Sequence, residues 1–225
     1  MTVGVLLLAA GSGRRFGSAI PKQYLEVAGK PLIVHTLESL NQSTRIAVVQ
    51  PVIGGQDLWY ADAVAGYTWR FQLLQPVVGG AERSISMQKG LAALPEAIDM
   101  VAVHDAARAL PSKALLDDVF DVAKQHGAAV PGVAVHDTIK RVNADGKVLE
   151  TPDRKSLMAV QTPQVARRDW FEQALIQEKD NLHLHTDDAS VLEAAGFDVY
   201  ISQGDVNNRK VTTPADMLWL EEQLR

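Results

Sequence analysis

Short β-branched runs alternate with amphipathic helical patterns along the chain, and no other feature restricts the possible folds as strongly. The runs are Val3 to Leu8, Arg45 to Val49, Phe71 to Leu74, Met100 to Val103 and Ala128 to Val135. Helix-like stretches begin near Pro31, Gly54, Arg83 and Pro111. Strand and helix alternating at this pitch predict an α/β fold with a mainly parallel sheet and helices on both faces. In such sheets ligands bind beyond the carboxyl ends of the strands, so the chemistry is expected in the loops that follow them. One segment departs from the alternation. In "HDTIKRVNADGKVLETPDR" two half-apolar runs flank Asp145-Gly146, a hairpin turn signal, which predicts a protruding β-hairpin arm at about 137–153. Helical patterns return from about Arg168 and Thr186, a strand is expected at Asp198 to Ile201, and "TPAD" opens a last helix with Thr213 as N-cap and Pro214 at the first helical position.

No linker, repeat or low-complexity tract interrupts 225 residues that are 47% apolar, so a single domain over 1–225 is expected. The chain has no cysteine, which excludes disulfides and thiolate-held metals and suits a reducing cytoplasm. The opening apolar run lacks a basic leader and stops after eight residues, and no other run approaches a membrane span, so a soluble protein without membrane partners is expected. With 22 Lys plus Arg against 27 Asp plus Glu, the net charge of -5 argues against broad nucleic-acid binding. The basic residues nevertheless gather in or beside expected turns, at Arg14, Arg15 and Lys22, at Arg154-Lys155, at Arg167-Arg168 and at Arg209-Lys210. Each is either a solvated surface or part of a pocket for a small polyanion.

The first strand runs into "AAGSGRRFGSAIPKQY". A dinucleotide fingerprint needs G-x-G-x-x-G, but Gly11 and Gly13 are followed by Phe16 where the third glycine should stand. The G-x-x-x-x-G-K-[ST] phosphate loop is absent as well. What remains is a loop whose glycines let backbone N–H groups turn toward an anion, with Arg14, Arg15 and Lys22 supplying positive charge. That combination suits a triphosphate, and a plain strand-to-helix turn is the alternative.

"LLLAAGSGRRFGSAIPKQY" resembles the opening of the 2-C-methyl-D-erythritol 4-phosphate cytidylyltransferase family. "VVGGAERSISMQKGL", "VHDAAR", "HDTIKR", "DRKSLMAVQTPQV", "TDDAS" and "NNRKVTTPADM" extend the likeness over essentially the whole chain. The resemblance implies a Rossmann-like nucleotidyltransferase sheet and transfer of a cytidylyl group from CTP to a sugar-alcohol phosphate, with release of pyrophosphate. It implies that Lys22 and Lys210 flank the α-phosphoryl group, that Arg15 holds the departing pyrophosphate, and that Arg154 completes the catalytic set. Nucleotide binding would fall to Ala10, Gly11, Gly13, Arg14, Gly79, Gly80, Ala81, Arg83 and Ser86, with the cytosine edge read largely by backbone around Ala10, Gly80 and Ala81 together with Ser86. The acceptor would be held by Asp105, Arg108, Thr138, Arg154, Thr162 and Thr186. Magnesium would be bound mainly through phosphates, with Asp105 the candidate protein ligand or, equally, a helix N-cap. The family usually carries proline after "HDAAR", where this chain has Ala109, which questions the stiffness of that loop. A homodimer is also implied, with the arm reaching across the two-fold axis so that Arg154 serves the neighbouring site.

A ribitol 5-phosphate cytidylyltransferase would keep the same nucleotide loop, and a catalytically silent nucleotide-binding regulator could keep the same fold. The second is disfavoured because Lys22 and Lys210 are both present. A zinc site at His183 and His185 is disfavoured because alternate residues in an extended segment are commonplace. His104 and His136, each followed by aspartate, are expected to be packing or supporting groups rather than catalytic dyads, since adjacent strand residues point to opposite faces. Trp170, Phe171 and Leu175 are read as core.

Overall fold

The computed structural model describes residues 1–11, 16, 18 and 20–225; Gly13, Arg14 and Arg15, all expected at the phosphate loop, lie outside the described residues. Strand β1 (Val3–Ala9) is followed by the short antiparallel pair β2 (Glu26–Val27) and β3 (Lys30–Pro31), then helix α1 (Leu32–Leu40). Next come β4 (Ile46–Ile53), α2 (Tyr60–Val64), β5 (Gln72–Leu73), β6 (Val77–Val78), α3 (Arg83–Ala93), β7 (Met100–Asp105), α4 (Lys113–His126) and β8 (Ala128–Ala134). The arm is β9 (Arg141–Val142) and β10 (Val148–Glu150), and the chain ends with β11 (Met158–Val160), β12 (Gln164–Arg167), α5 (Arg168–Gln177), α6 (Asp188–Ala194), β13 (Tyr200–Gln203) and α7 (Pro214–Gln223).

Among the described residues, nine strands form one sheet. β1 lies at its centre, parallel to β4 on one side and β7 on the other, while β5 and β6 extend it parallel to β4. β12 runs antiparallel between β7 and β8, β11 is antiparallel to the far half of β8, and β13 pairs parallel with β8. The sheet is therefore mainly parallel, as its alternation implied. β12 reverses because the arm carries the chain out and back between β8 and β12 without a crossover helix.

Period-two alternation of β1 divides the core. Val3, Val5 and Leu7 pack with Ile33, Val34 and Leu37 of α1 and with Leu116, Val119 and Phe120 of α4. Leu6 packs on the other face with Met87 and Leu91 of α3, Phe171 and Leu175 of α5, and Val191 and Leu192 of α6. Both faces are dry, which is why the strands read as continuous apolar runs. Trp170 is partly buried and stacks on Phe197 at 4.7 Å.

The helix expected near Gly54 does not begin there. Asp57 Oδ1 accepts from the N–H groups of Trp59 and Tyr60, and the short α2 starts only after that anchor. The last helix forms as read, with a capping box in which Thr213 accepts from the Asp216 N–H and the Asp216 carboxylate accepts from the Thr213 N–H. In the arm, Val142 pairs with Val148, and Gly146 takes φ +81° at the turn while Asn143 Oδ1 accepts from Asp145 and Lys147. Among the described residues no helix is long and apolar enough to cross a membrane.

Candidate active site

A cleft of about 420 Å³ opens at the carboxyl ends of β1 and β7. Ala10, Gly11, Lys22, Gly80, Ala81, Arg83, Ser86, Asp105 and Lys210 all line it, so most of the residues expected at the nucleotide come together. Gly79 belongs here for a steric reason. A Cβ on it would lie 2.7 Å from Ser86 Oγ and 2.9 Å from the Ala10 Cβ, so only glycine lets the loops after β1 and β6 close on each other.

The short 3-10 turn Lys22–Tyr24 carries the first lysine into the cleft. Lys22 Nζ donates to the Val211 carbonyl at 2.5 Å, bringing it to the residue next to Lys210 from 189 positions away. Gln23, buried and not picked out by its sequence context, donates through Nε2 to the carbonyls of Ala9 at 2.6 Å and Gly11 at 3.3 Å. Its amide ties the lysine-bearing turn to the loop leaving β1.

Charge is organised around Asp105. Oδ1 accepts from Arg83 Nη1 at 2.6 Å, and Oδ2 lies 2.8 Å from Lys210 Nζ and 3.6 Å from Arg108 Nε. Burial alone would raise the Asp105 carboxyl, but Arg83 and Lys210 outweigh it and hold the group well below the usual carboxylate range. Arg83 also grips Asp188 Oδ2 through Nη2 at 2.6 Å and Nε at 3.1 Å. One guanidinium thereby joins the ends of β7, α3 and α6. Asp188 is almost wholly buried and lies within "TDDAS", yet the sequence offers nothing to separate its role from that of Asp187, which caps α6 by accepting from Ser190 N–H.

Several expected residues take other positions. Thr162 is buried at 4% exposure, and its hydroxyl accepts from the Asp105 N–H at 3.1 Å and meets His104 Nδ1 at 3.0 Å, so it supports Asp105 rather than facing an acceptor. Ser86, by contrast, stays in the cleft lining, where its Oγ accepts from Gly80 N–H and donates to the Glu82 carbonyl, bracing the loop after β6. Arg108 lies behind Asp105 and donates to the Asn208 carbonyl at 2.7 Å. Asp105 holds cations, with both oxygens engaged, and among the described residues no group of three His, Cys, Asp or Glu side chains could hold a metal. It caps no helix, since α4 is capped by Ser112. Thr138, Arg154 and Thr186 are exposed and outside the cleft lining; Arg154 donates to the His136 carbonyl at 2.7 Å.

His104 is fully buried and its neighbour's carboxylate is used elsewhere, so the pair is no catalytic dyad. His136 is exposed rather than packed, because it lies at the root of the arm where the sheet ends. His183 is exposed as well, and His185 pairs with Glu178.

Residues 3–225 match the family model described as 2-C-methyl-D-erythritol 4-phosphate cytidylyltransferase. The chain is 38% identical over 217 residues to the protein of that name from Alkaliphilus metalliredigens, covering 96% of this chain and 90% of the relative. It is 41% identical to a bifunctional enzyme IspD/IspF from Bradyrhizobium diazoefficiens, 98% of this chain spanning 55% of that longer protein. Its fold is similar, at TM-score 0.85 and 25% identity over 99% of this chain and 98% of the other, to the crystal structure of 4-diphosphocytidyl-2C-methyl-D-erythritol synthase from Anaerococcus prevotii.

Proposed function

Because the chain belongs to the 2-C-methyl-D-erythritol 4-phosphate cytidylyltransferase family, we propose that it transfers the cytidylyl group of CTP to 2-C-methyl-D-erythritol 4-phosphate. The products are pyrophosphate and 4-(cytidine 5'-diphospho)-2-C-methyl-D-erythritol, an isoprenoid precursor. The observation that carries this reading is the meeting of Lys22 and the Lys210–Val211 segment in one cleft, with Lys210 held against Asp105.

The acceptor's phosphate is already a nucleophile at neutral pH. One of its oxygens forms a bond to the α-phosphorus of CTP while the bond to the β-phosphate oxygen breaks, so no general base is required. The protein's work is to bring two anions together and to stabilise charge on the α-phosphoryl oxygens. Lys22 and Lys210 are assigned that task. Arg83 remains charged, its guanidinium desolvated by burial but held upward by Asp188 and Asp105. It fixes Asp105, which in turn aims Lys210. Arg15 and Arg14 are assigned to the phosphates on their place in the loop alone. A divalent cation, magnesium in this reading, supplies further neutralisation; the donor set around Asp105 suits a cation that arrives on the triphosphate rather than one held by side chains.

We assign Thr138, Arg154 and Thr186 to the acceptor, with Arg154 acting across a homodimer. Ile139, Val142, Val148, Leu149, Met158 and Val160, on or beside the arm, are each 39–59% exposed, an apolar surface too large for a two-stranded ribbon to cover by itself. A cytoplasmic enzyme fits the chain's lack of cysteine. Pyrophosphate release measured with CTP, UTP, ATP and GTP against both candidate acceptors tests the assignment. CTP with the branched tetritol phosphate should give the highest kcat/KM. Comparable turnover of ribitol 5-phosphate would favour the pentitol enzyme, and nucleotide binding without turnover would favour a regulator.

A further inference from the structure

The loop after β7 follows Asp105 and carries Arg108, and four consecutive carbonyls in it each receive a hydrogen bond, two of them from α1, one from β7 and one from the segment beside Lys210. The Ala106 carbonyl accepts from Thr36 Oγ1 at 2.9 Å, Ala107 from the Val211 N–H at 2.8 Å, Arg108 from His104 Nε2 at 3.1 Å, and Ala109 from Ser39 Oγ at 2.7 Å. Thr36 and Ser39 stand three positions apart on α1 and are buried at 0% and 7% exposure, so both hydroxyls face the loop and not water.

A buried helix face is usually apolar, and the two hydroxyls there are satisfied by the loop's carbonyls, Thr36 also lying 3.3 Å from the Leu32 carbonyl of its own helix. Each carbonyl would otherwise be a buried acceptor without a partner. The loop has no regular secondary structure of its own, and at Ala109 it lacks the φ restriction of a proline ring. Its shape is held by these four bonds together with those of the Ala106 N–H to the Leu8 carbonyl and the Arg108 N–H to the Asp105 carbonyl. One of them, through Val211, runs directly into the segment whose carbonyl takes Lys22 and whose neighbour is Lys210.

We propose that Thr36 and Ser39 are positioning residues for transfer: through the Ala106 and Ala109 carbonyls they hold the loop that aims Asp105 and Arg108, and through Asp105 they hold Lys210. Neither hydroxyl reaches the cleft. The inference rests on the cytidylyltransferase reading, and its test separates the two.

The test uses Ser39→Ala, Thr36→Val, the double variant, and Thr36→Ser, which keeps the donor. Steady-state kinetics are paired with CTP dissociation constants and hydrogen exchange of the 105–111 backbone. The double variant should lose about 10- to 100-fold in kcat, the scale of an ångström-size misplacement. CTP affinity should change less than threefold, because the loops at Ala10, Gly80 and Ala81 are not in contact with either hydroxyl. Exchange in the loop should quicken, and Thr36→Ser should stay near wild type. A kcat loss below threefold in the double variant, a loss of CTP affinity equal to the loss of kcat, or equal effects of Thr36→Ser and Thr36→Val would overturn the proposal. If the double variant does not fold, Ser39→Ala alone is judged by the same split between kcat and affinity. If the wild-type protein turns over no CTP, the functional reading fails; unchanged exchange in the variants would then overturn the positioning claim on its own.

Discussion

At the scale of single residues, the cleft is an arrangement of cations around one carboxylate. Among the described residues lining it, Lys22, Arg83 and Lys210 outnumber Glu82 and Asp105 by one, leaving a small excess of positive charge to meet phosphates. Removing either lysine should cost kcat about 10²-fold, the scale of losing one pre-placed donor to a developing oxyanion. Lys22→Ala and Lys210→Ala should combine to less than the product of their single effects, since both serve one transition state. Turnover measured by pyrophosphate release, with circular dichroism to verify folding, checks both points. Full activity in either variant would remove that lysine from the chemical step. Lys22 was legible from the chemistry of its glycine loop, but its partnership with Lys210 only through family resemblance, because nothing local links positions 22 and 210. Gln23 and Asp188 were not legible at all. Their importance comes from burial and from partners distant in the chain, and no periodicity reports that.

Among the elements, β7 does the most to build the site, and His104 shows how. Its Nε2 faces the Arg108 carbonyl, so that nitrogen carries the proton, and Nδ1 is left to accept from the Thr162 hydroxyl, which itself accepts from the Asp105 N–H. One neutral imidazole thus joins β7, the loop after it and the segment leading into β12. Burial lowers the His104 pKa to about 4, against an ordinary value near 6.5. Between those values the unfolded chain binds the proton and the folded chain does not, so this contribution is fully present above about pH 6.5 and declines as pH falls toward about 4. His104→Gln, which replaces the imidazole by an amide that can donate and accept but does not titrate, should flatten stability between about pH 4 and 6.5 in urea titrations. An unchanged slope would mean that another group titrates there. The strands, the capping box at Thr213 and the arm were readable because each rests on local chemistry: alternation, a cap, a turn. The antiparallel β12 and the late start of α2 were not, since one depends on where the arm returns the chain and the other on the Asp57 side chain.

For the molecule as a whole, the proposed dimer rests on the exposed apolar residues of the arm and on Arg154 lying outside the cleft lining. Mixed Lys22→Ala and Arg154→Ala subunits would form heterodimers with one doubly damaged and one intact site. Random exchange at equal amounts should then restore about a quarter of wild-type activity. If exchange is verified and activity stays at the level of the single variants, Arg154 serves its own subunit. The central claim, attack of one phosphate on the α-phosphorus of CTP, is tested most directly by phosphorus-31 NMR of the enzyme with CTP, magnesium and 2-C-methyl-D-erythritol 4-phosphate. The acceptor's phosphomonoester signal should disappear as diphosphodiester and pyrophosphate signals grow in equal amounts, with CTP unchanged when the acceptor is left out. Release of CMP and pyrophosphate with the phosphomonoester signal intact would contradict the account.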